Sequence, residues 1–323
     1  MDTKLNVTDK KANLSSKNRS FFQKISHEFN KERQLWVITI VMLIWVFVFA
    51  YIPMAGAMIA FTNYEPGYSI WNCDWVGLKY FIEFFTAPEF PQIMRNTLAI
   101  SGLNILFGFP APIILAILLN EVRMKKYKKV VQTVSYIPHF ISWVVVASIM
   151  FTILGNEGIL NNILLHLGII DKPIIYLYEG KYFWTIITIA NIWKSVGWSS
   201  IIYLSAMSGI DDELYQAGAV DGLGRFGMIC HITLPSIAPT IVLLLILDIG
   251  SILNAGFEQQ LLLGNDQTRA YYEVIDTYAY KYGIQQGRYG YGAAVGLVKG
   301  IISIILVFSV NHLAKKKLDI SVM

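Results

Sequence analysis

The sequence predicts an all-α polytopic membrane protein with six transmembrane helices and cytoplasmic N- and C-termini. Three observations carry that expectation. Of its 323 residues, 55% are hydrophobic and only 15% are charged, against about 45–50% and about 25% in soluble domains. Six apolar stretches approach or exceed the roughly 20 residues that cross a bilayer core. Lysine and arginine are also distributed unevenly between the segments that join those stretches. This composition argues against a soluble globule, a disordered tail, a coiled coil and a disulfide scaffold.

The stretches are 36–61, 93–119, 131–154, 182–207, 234–254 and 293–313. Segments 1–35, 121–130, the region of Arg225 and Lys315–Lys317 together hold 17 Lys and Arg; the alternate loops hold six. Positive charge is retained on the cytoplasmic side, so both ends are expected there, which requires an even number of spans. The domain division that follows is a cytoplasmic tail at 1–35, a six-helix membrane domain at 36–313 and a second tail at 314–323. The basic N-terminal stretch is too long, and its apolar run too extended, for a cleaved signal peptide. Phe21, Phe22, Ile25 and Phe29 share one helical face among Lys24, Lys31 and Arg33, which suits a helix lying on the inner leaflet as well as an unstructured tail. Cys73 and Cys230 fall on opposite sides of the expected bilayer, so no disulfide is expected between them.

Motifs for catalysis are missing from the text. No G-x-x-x-x-G-K-[ST] occurs, nor G-x-S-x-G, H-E-x-x-H or C-x-x-C. Gly222, Gly224 and Gly227 spell G-x-G-x-x-G, but no strand precedes them to make a dinucleotide-binding unit. The five histidines show no metal-like spacing.

The most specific feature is the loop between the fourth and fifth stretches. Asp211, Asp212 and Glu213 suit the positive end of a helix, Gly222 and Gly224 suit its exit, and Pro235 suits the first turn of the next one. The helix between them carries small residues at Ala217, Gly218 and Ala219. Such a helix either enters a partner's groove or rests on the bilayer surface.

The loop resembles the EAA loop of ATP-binding-cassette (ABC) importer permeases. That pattern reads Glu-Ala-Ala, three residues, Gly, nine residues, then Ile-x-Leu-Pro. Gln216, Ala217 and Gly218 occupy the first three places, then Gly222, then Ile232, Leu234 and Pro235. Gln216 stands where the pattern has Glu, and Gly218 where it has the second Ala. Further strings, among them Tyr136-Ile137-Pro138-His139-Phe140-Ile141-Ser142-Trp143 and Gly256-Phe257-Glu258-Gln259, resemble the carbohydrate and complex-polysaccharide subgroup, which is maltose-permease-like.

The resemblance implies a type I ABC importer permease fold and a non-catalytic subunit of a bacterial cytoplasmic membrane transporter. The implied partners are a second homologous permease, two cytoplasmic ATPase subunits and an extracytoplasmic solute-binding protein. No cofactor is expected in this chain, ATP and Mg belonging to the ATPases, and no nucleic acid is expected as a partner. By position, Gln216, Ala217, Gly218, Asp221 and Gly222 would couple to the ATPase.

Charged groups at membrane depth usually face a cavity or a partner. Asn191, Lys194, Ser195 and Trp198 share one face of the fourth helix, and Asp248, Ser251 and Asn254 recur at threes on the fifth. Polar groups beside an aromatic suit an oligosaccharide path, and they equally suit a polar seam between helices. Depth arithmetic pairs Asp248 with Lys299 and leaves Lys194 free for an acidic sugar. Gly292, Gly296 and Gly300 form a small-residue ridge suited to close helix packing, within this subunit or against the partner permease. Two rival readings use the same residues. One is a stand-alone secondary transporter with Lys194 or Asp248 coupling to an ion; the other is a structural or sensory membrane protein.

Overall fold

The computed structural model describes residues 33–318. The expected surface helix around Phe21–Phe29 lies outside the described residues, as does most of the 1–35 tail. Among the described residues the helices of at least eight residues are α1 (Arg33–Val46), α2 (Lys79–Thr86), α3 (Phe90–Leu103), α4 (Pro110–Glu121), α5 (Lys125–Phe140), α6 (Trp143–Leu154), α7 (Ile159–His166), α8 (Gly180–Ser208), α9 (Asp212–Val220), α10 (Leu234–Gly250) and α11 (Tyr289–Leu318). No strand occurs among them; Thr62 and Trp75 make a single isolated bridge.

Five helical stretches are long and apolar enough to cross a membrane: Gln34–Phe61, Phe90–Glu121, Trp143–His166, Arg225–Gly250 and Tyr289–Lys316. Four fall on expected spans. The third does not: the expected span 131–154 is broken. α5 ends at Phe140 just after Pro138, and α6 begins at Trp143 with the Ser142 hydroxyl accepting from the Val145 amide at 3.4 Å. The apolar stretch therefore starts at the break and runs on to His166. The expected fourth stretch is helical, as α8, 29 residues long. It falls outside the five because Asn191, Lys194, Ser195, Ser199 and Ser200 dilute its apolar character.

Residues up to 58 form one compact unit and those from 59 onward another. In the first, α1 is exposed along most of its length: Val41, Trp45 and, just beyond its end, Phe49 are 59%, 60% and 65% exposed. Such a surface suits lipid and would be a liability in water. The second unit holds three apolar clusters. Phe84, Ile93, Ile275, Tyr278 and Tyr291 centre one; Ile100, Phe183, Ile187, Leu263 and Val274 centre another; Ala116, Tyr203, Met207 and Ile237 join α4, α8 and α10 in the third.

In lipid, helices associate through close packing and polar contacts rather than through escape from water. The tightest approach is at Gly197 of α8, where an added Cβ would sit 1.9 Å from the Ser135 carbonyl oxygen of α5. On the ridge of glycines, Gly292 lies against Gly283 of the same chain, whereas Gly296 and Gly300 face open space.

Three of the long helices contain a widened turn. The amides of Ile52, Phe109 and Leu234 donate to the carbonyls of Phe47, Asn104 and Ile229, five residues back. Each of these amides is followed by a proline, at Pro53, Pro110 and Pro235. A proline ring crowds the carbonyl four residues earlier and offers it no N–H. The extra residue in the turn carries that carbonyl aside without breaking the helix.

Loops are held by buried amides. Asn96 donates to the carbonyls of Ala270 and Glu273 at 3.1 and 3.0 Å, and Asn161 pins Gly155 and Ile174 at 2.8 Å each. The buried Glu273 carboxylate meets Lys281 at 3.3 Å and Arg269 at 3.6 Å, while Glu83 takes the Arg288 guanidinium at 2.6 Å. Beside them the Tyr278 phenol, bonded to Tyr291 at 2.8 Å, titrates well above its ordinary value because burial disfavours the phenolate.

Candidate functional site

A cavity of about 480 Å³ opens between α3, α4, α8, α10 and the segment after α10. Of the expected path residues, Asn191, Lys194, Ser195, Asp248, Ser251 and Asn254 all line it. The seventh, Trp198, stands beside it, its ring stacked on His139 at 4.7 Å and nearly parallel; His139 itself belongs to the lining.

Three amides from three elements form a chain across one wall. Gln259 Nε2 donates to Asn191 Oδ1 at 3.4 Å, and Asn191 Nδ2 donates to Asn104 Oδ1 at 3.3 Å. Asn104 occupies the first place of the widened turn ahead of Pro110. Ser101, one turn earlier, also faces the cavity, and its buried hydroxyl has no hydrogen-bond partner among the described residues. Trp143, Phe109 and Tyr203 add flat apolar surface. Hydroxyl-matching groups beside aromatic faces are what a sugar-sized solute requires.

Lys194 is not free. Its ammonium donates to the carbonyls of Ile141 at 2.6 Å, His139 at 2.7 Å and Pro138 at 3.5 Å, and lies 5.8 Å from the Trp143 ring centre. These carbonyls lie at the end of α5, where the His139 and Ile141 carbonyls have no further turn to satisfy them and the Pro138 carbonyl also accepts from the Ile141 amide at 3.2 Å, and a cation at a helix C-terminus also meets its negative dipole end. The depth arithmetic failed because it considered side-chain partners alone. The expected Asp248–Lys299 pair is likewise absent: Lys299 meets Asp276 at 2.5 Å, on the short helix Ile275–Ala279 between the expected fifth and sixth stretches. Asp248 has no ion pair or hydrogen bond among the described residues.

Asn104, Ser101, Ser199 and Tyr203 also line the cavity and were missed. Their signal was polar residues inside apolar helices, hidden by the altered phase of the widened turn and by counting only charges. Gln259, His139 and Trp143 were noticed only as members of resemblance strings.

The loop after α8 forms the expected short helix, α9. Asp211 caps it, its carboxylate accepting from the Glu213 amide at 3.0 Å. Its exit is a Schellman turn: the Leu223 amide reaches the Gly218 carbonyl at 2.9 Å and the Gly222 amide reaches Ala219 at 3.2 Å. Gly222 supplies the left-handed conformation, φ +80°, that this turn requires. Gln216, Ala217, Asp221 and Gly222 are exposed, whereas Gly218 is buried against Leu223 and Ile232. Val220 and Phe226, 88% and 78% exposed, add an apolar patch beside them. The Tyr215 hydroxyl meets Thr233 at 2.9 Å, which ties α9 to the foot of α10.

These features define a multi-pass helical membrane protein with a polar chamber and a projecting loop helix. Residues 108–319 match the family model described as binding-protein-dependent transport system inner membrane component, and the chain belongs to that family. It is 45% identical to Protein LplB of Bacillus subtilis (strain 168) over 287 residues, 88% of this chain and 90% of that one. It is 44% identical to the polygalacturonan/rhamnogalacturonan transport system permease protein YteP of the same organism, over 88% and 89%. Among solved structures it resembles a chain of a bacterial ABC transporter involved in the import of the acidic polysaccharide alginate. The TM-score there is 0.83 and the identity 38%, over 91% of this chain and 99% of that one. The same transporter in complex with an alginate pentasaccharide-bound periplasmic protein matches equally, with a TM-score of 0.83 over 92% and 99%.

Proposed function

We propose that this chain is the translocation subunit of a bacterial ABC importer, set in the cytoplasmic membrane, that passes an oligosaccharide released from a polysaccharide. A solute-binding protein delivers the sugar on the outer face. A second, homologous permease completes the chamber, and two ATPase subunits bind ATP and Mg on the cytoplasmic side. This chain contributes no catalytic group of its own. Polysaccharides named for its relatives YteP and the alginate transporter support the substrate class.

The observation that carries the reading is the way α9 is mounted. Its exposed face offers Gln216, Ala217 and Asp221 with Val220 and Phe226 alongside, while its buried face is tied to α10 through Tyr215–Thr233 and Gly218–Ile232. A knob held this firmly passes a push from an ATPase groove into α8 and α10, two of the helices whose residues line the chamber. ATP binding and chamber orientation are then two ends of one coupled equilibrium.

Cysteine crosslinking from Ala217→Cys to the ATPase, in the assembled transporter, tests it. A crosslink whose yield changes between nucleotide-free and ATP-bound states is expected. No crosslink in either state, or uptake by this chain alone on an ion gradient, overturns the reading.

A further inference from the structure

The cavity lining holds two charged residues, Lys194 and Asp248, and a histidine, His139. They are not equally available. An ammonium has three donors, and those of Lys194 point at three backbone carbonyls. The His139 ring is covered on one face by Trp198. The Asp248 carboxylate, by contrast, has neither ion pair nor hydrogen bond among the described residues, and it faces the chamber.

Its position is unfavourable in three respects. It stands in the last turn of α10, where the helix dipole disfavours negative charge. It lies within an apolar, membrane-length helix, where an uncompensated carboxylate is costly. The other charged residue of the lining, Lys194, is already engaged by backbone carbonyls. A carboxylate held there without a protein partner is one whose partner arrives with the solute. A carboxylate accepts hydrogen bonds and, when ionised, donates none. It matches sugar hydroxyls, two neighbouring ones at a time, and repels another carboxylate. Around it Ser251, Asn254 and the Asn104–Asn191–Gln259 chain offer further neutral hydrogen-bonding groups, and the one cation in the lining, Lys194, has its donors turned to backbone carbonyls.

We infer that Asp248 is a specificity-determining residue that makes this subunit's wall read hydroxyl groups and turns any carboxylates of the substrate away from this wall. The inference rests on the cavity being the oligosaccharide path. It implies that an acidic oligosaccharide passes with its carboxylates directed toward the second permease.

The test compares affinities of the assembled transporter, both permeases with their ATPases and without binding protein, so that delivery preferences do not enter. The probes are matched trisaccharide pairs differing only in the carboxyl group: galacturonate and galactose, mannuronate and mannose, glucuronate and glucose. In Asp248→Asn the ratio of acidic to neutral affinity is expected to rise by about tenfold, the scale of one charge-assisted hydrogen bond. Asp248→Ser, which also removes the charge, gives the same direction if the asparagine variant assembles poorly. An unchanged ratio, with both members of a pair weakened alike, overturns the inference while leaving the oligosaccharide path standing. If no pair binds the wild-type assembly, the path reading fails, and this inference with it.

Discussion

The Lys299 ammonium lies 2.5 Å from the Asp276 carboxylate, so the ion pair of the last long helix ties it to the short helix Ile275–Ala279 and not to Asp248 of α10. Both side chains are partly buried, 17% and 26% exposed. Removing one partner of such a pair leaves the other uncompensated. Lys299→Met and Asp276→Asn are each expected to destabilise the assembled transporter by about 1–3 kcal/mol. The double variant should be clearly less destabilised than the sum. Lys299→Met combined with Asp248→Asn should be additive, as read from thermal unfolding in detergent.

Lys194 closes the end of α5, and its loss leaves carbonyls unsatisfied inside the bundle. Lys194→Met is expected to cost about 1.5–3 kcal/mol, the range for hydrogen bonds made by a charged group. Because the broken end carries His139 and leads into Trp143, both in the chamber lining, sugar-stimulated ATPase should fall with it. Lys194→Arg, which keeps the charge, should recover part of both. Unchanged unfolding and activity in the methionine variant would contradict the role.

Gly197 sets the distance between α5 and α8. A valine there would drive its Cβ into the Ser135 carbonyl, 1.9 Å away. Overpacking costs about 1–3 kcal/mol where neighbours can move; backbone on both sides moves poorly, so Gly197→Val should sit at or above that range. Membrane yield and unfolding temperature read the effect, whereas Gly300→Val, whose Cβ meets nothing, should leave both unchanged in this chain.

The two glycines of the loop helix should behave oppositely. A Cβ on Gly218 would meet only the movable end of Ile232 at 2.8 Å and Leu223 at 3.2 Å, so Gly218→Ala should cost little and retain uptake. Gly222→Ala has open space but a left-handed backbone, which costs a residue with a Cβ about 1–2 kcal/mol. That variant should fray the exit of α9 and lower the ratio of uptake to ATP hydrolysis. Equal transport by both variants would count against a rigid mount.

The residues that sequence reasoning singled out and that meet at the cavity share a physical cause. Asn191, Lys194, Ser195, Asp248, Ser251 and Asn254 were found because polar side chains inside apolar helices gather at a chamber, and α9 was legible because its cap and exit glycine are local chemistry. What failed depended on backbone geometry. The break at Ile141–Ser142 rests on a proline and a serine cap within a continuously apolar stretch. The partners of Lys194 are backbone carbonyls, which no pattern of side chains reveals. The Asp276–Lys299 pair required knowing that a loop-like segment, Val274–Tyr278, folds as a helix turned inward.

The widened turn at Asn104–Gly108 resets the phase of the helix that contains it. At constant pitch, Leu98 and Ile114 would stand about 160° apart around the axis. The turn absorbs one residue's worth of rotation, about 100°, and brings them to within about 60° of each other. Both are in fact outward-facing, at 46% and 55% exposed. A single insertion therefore keeps Leu98 and Ile114, on either side of it, on one outward-facing side of Phe90–Glu121, while Asn104 lines the cavity. Deleting one residue between 104 and 108 would wind the rod straight and send one half of its greasy stripe into the polar chamber.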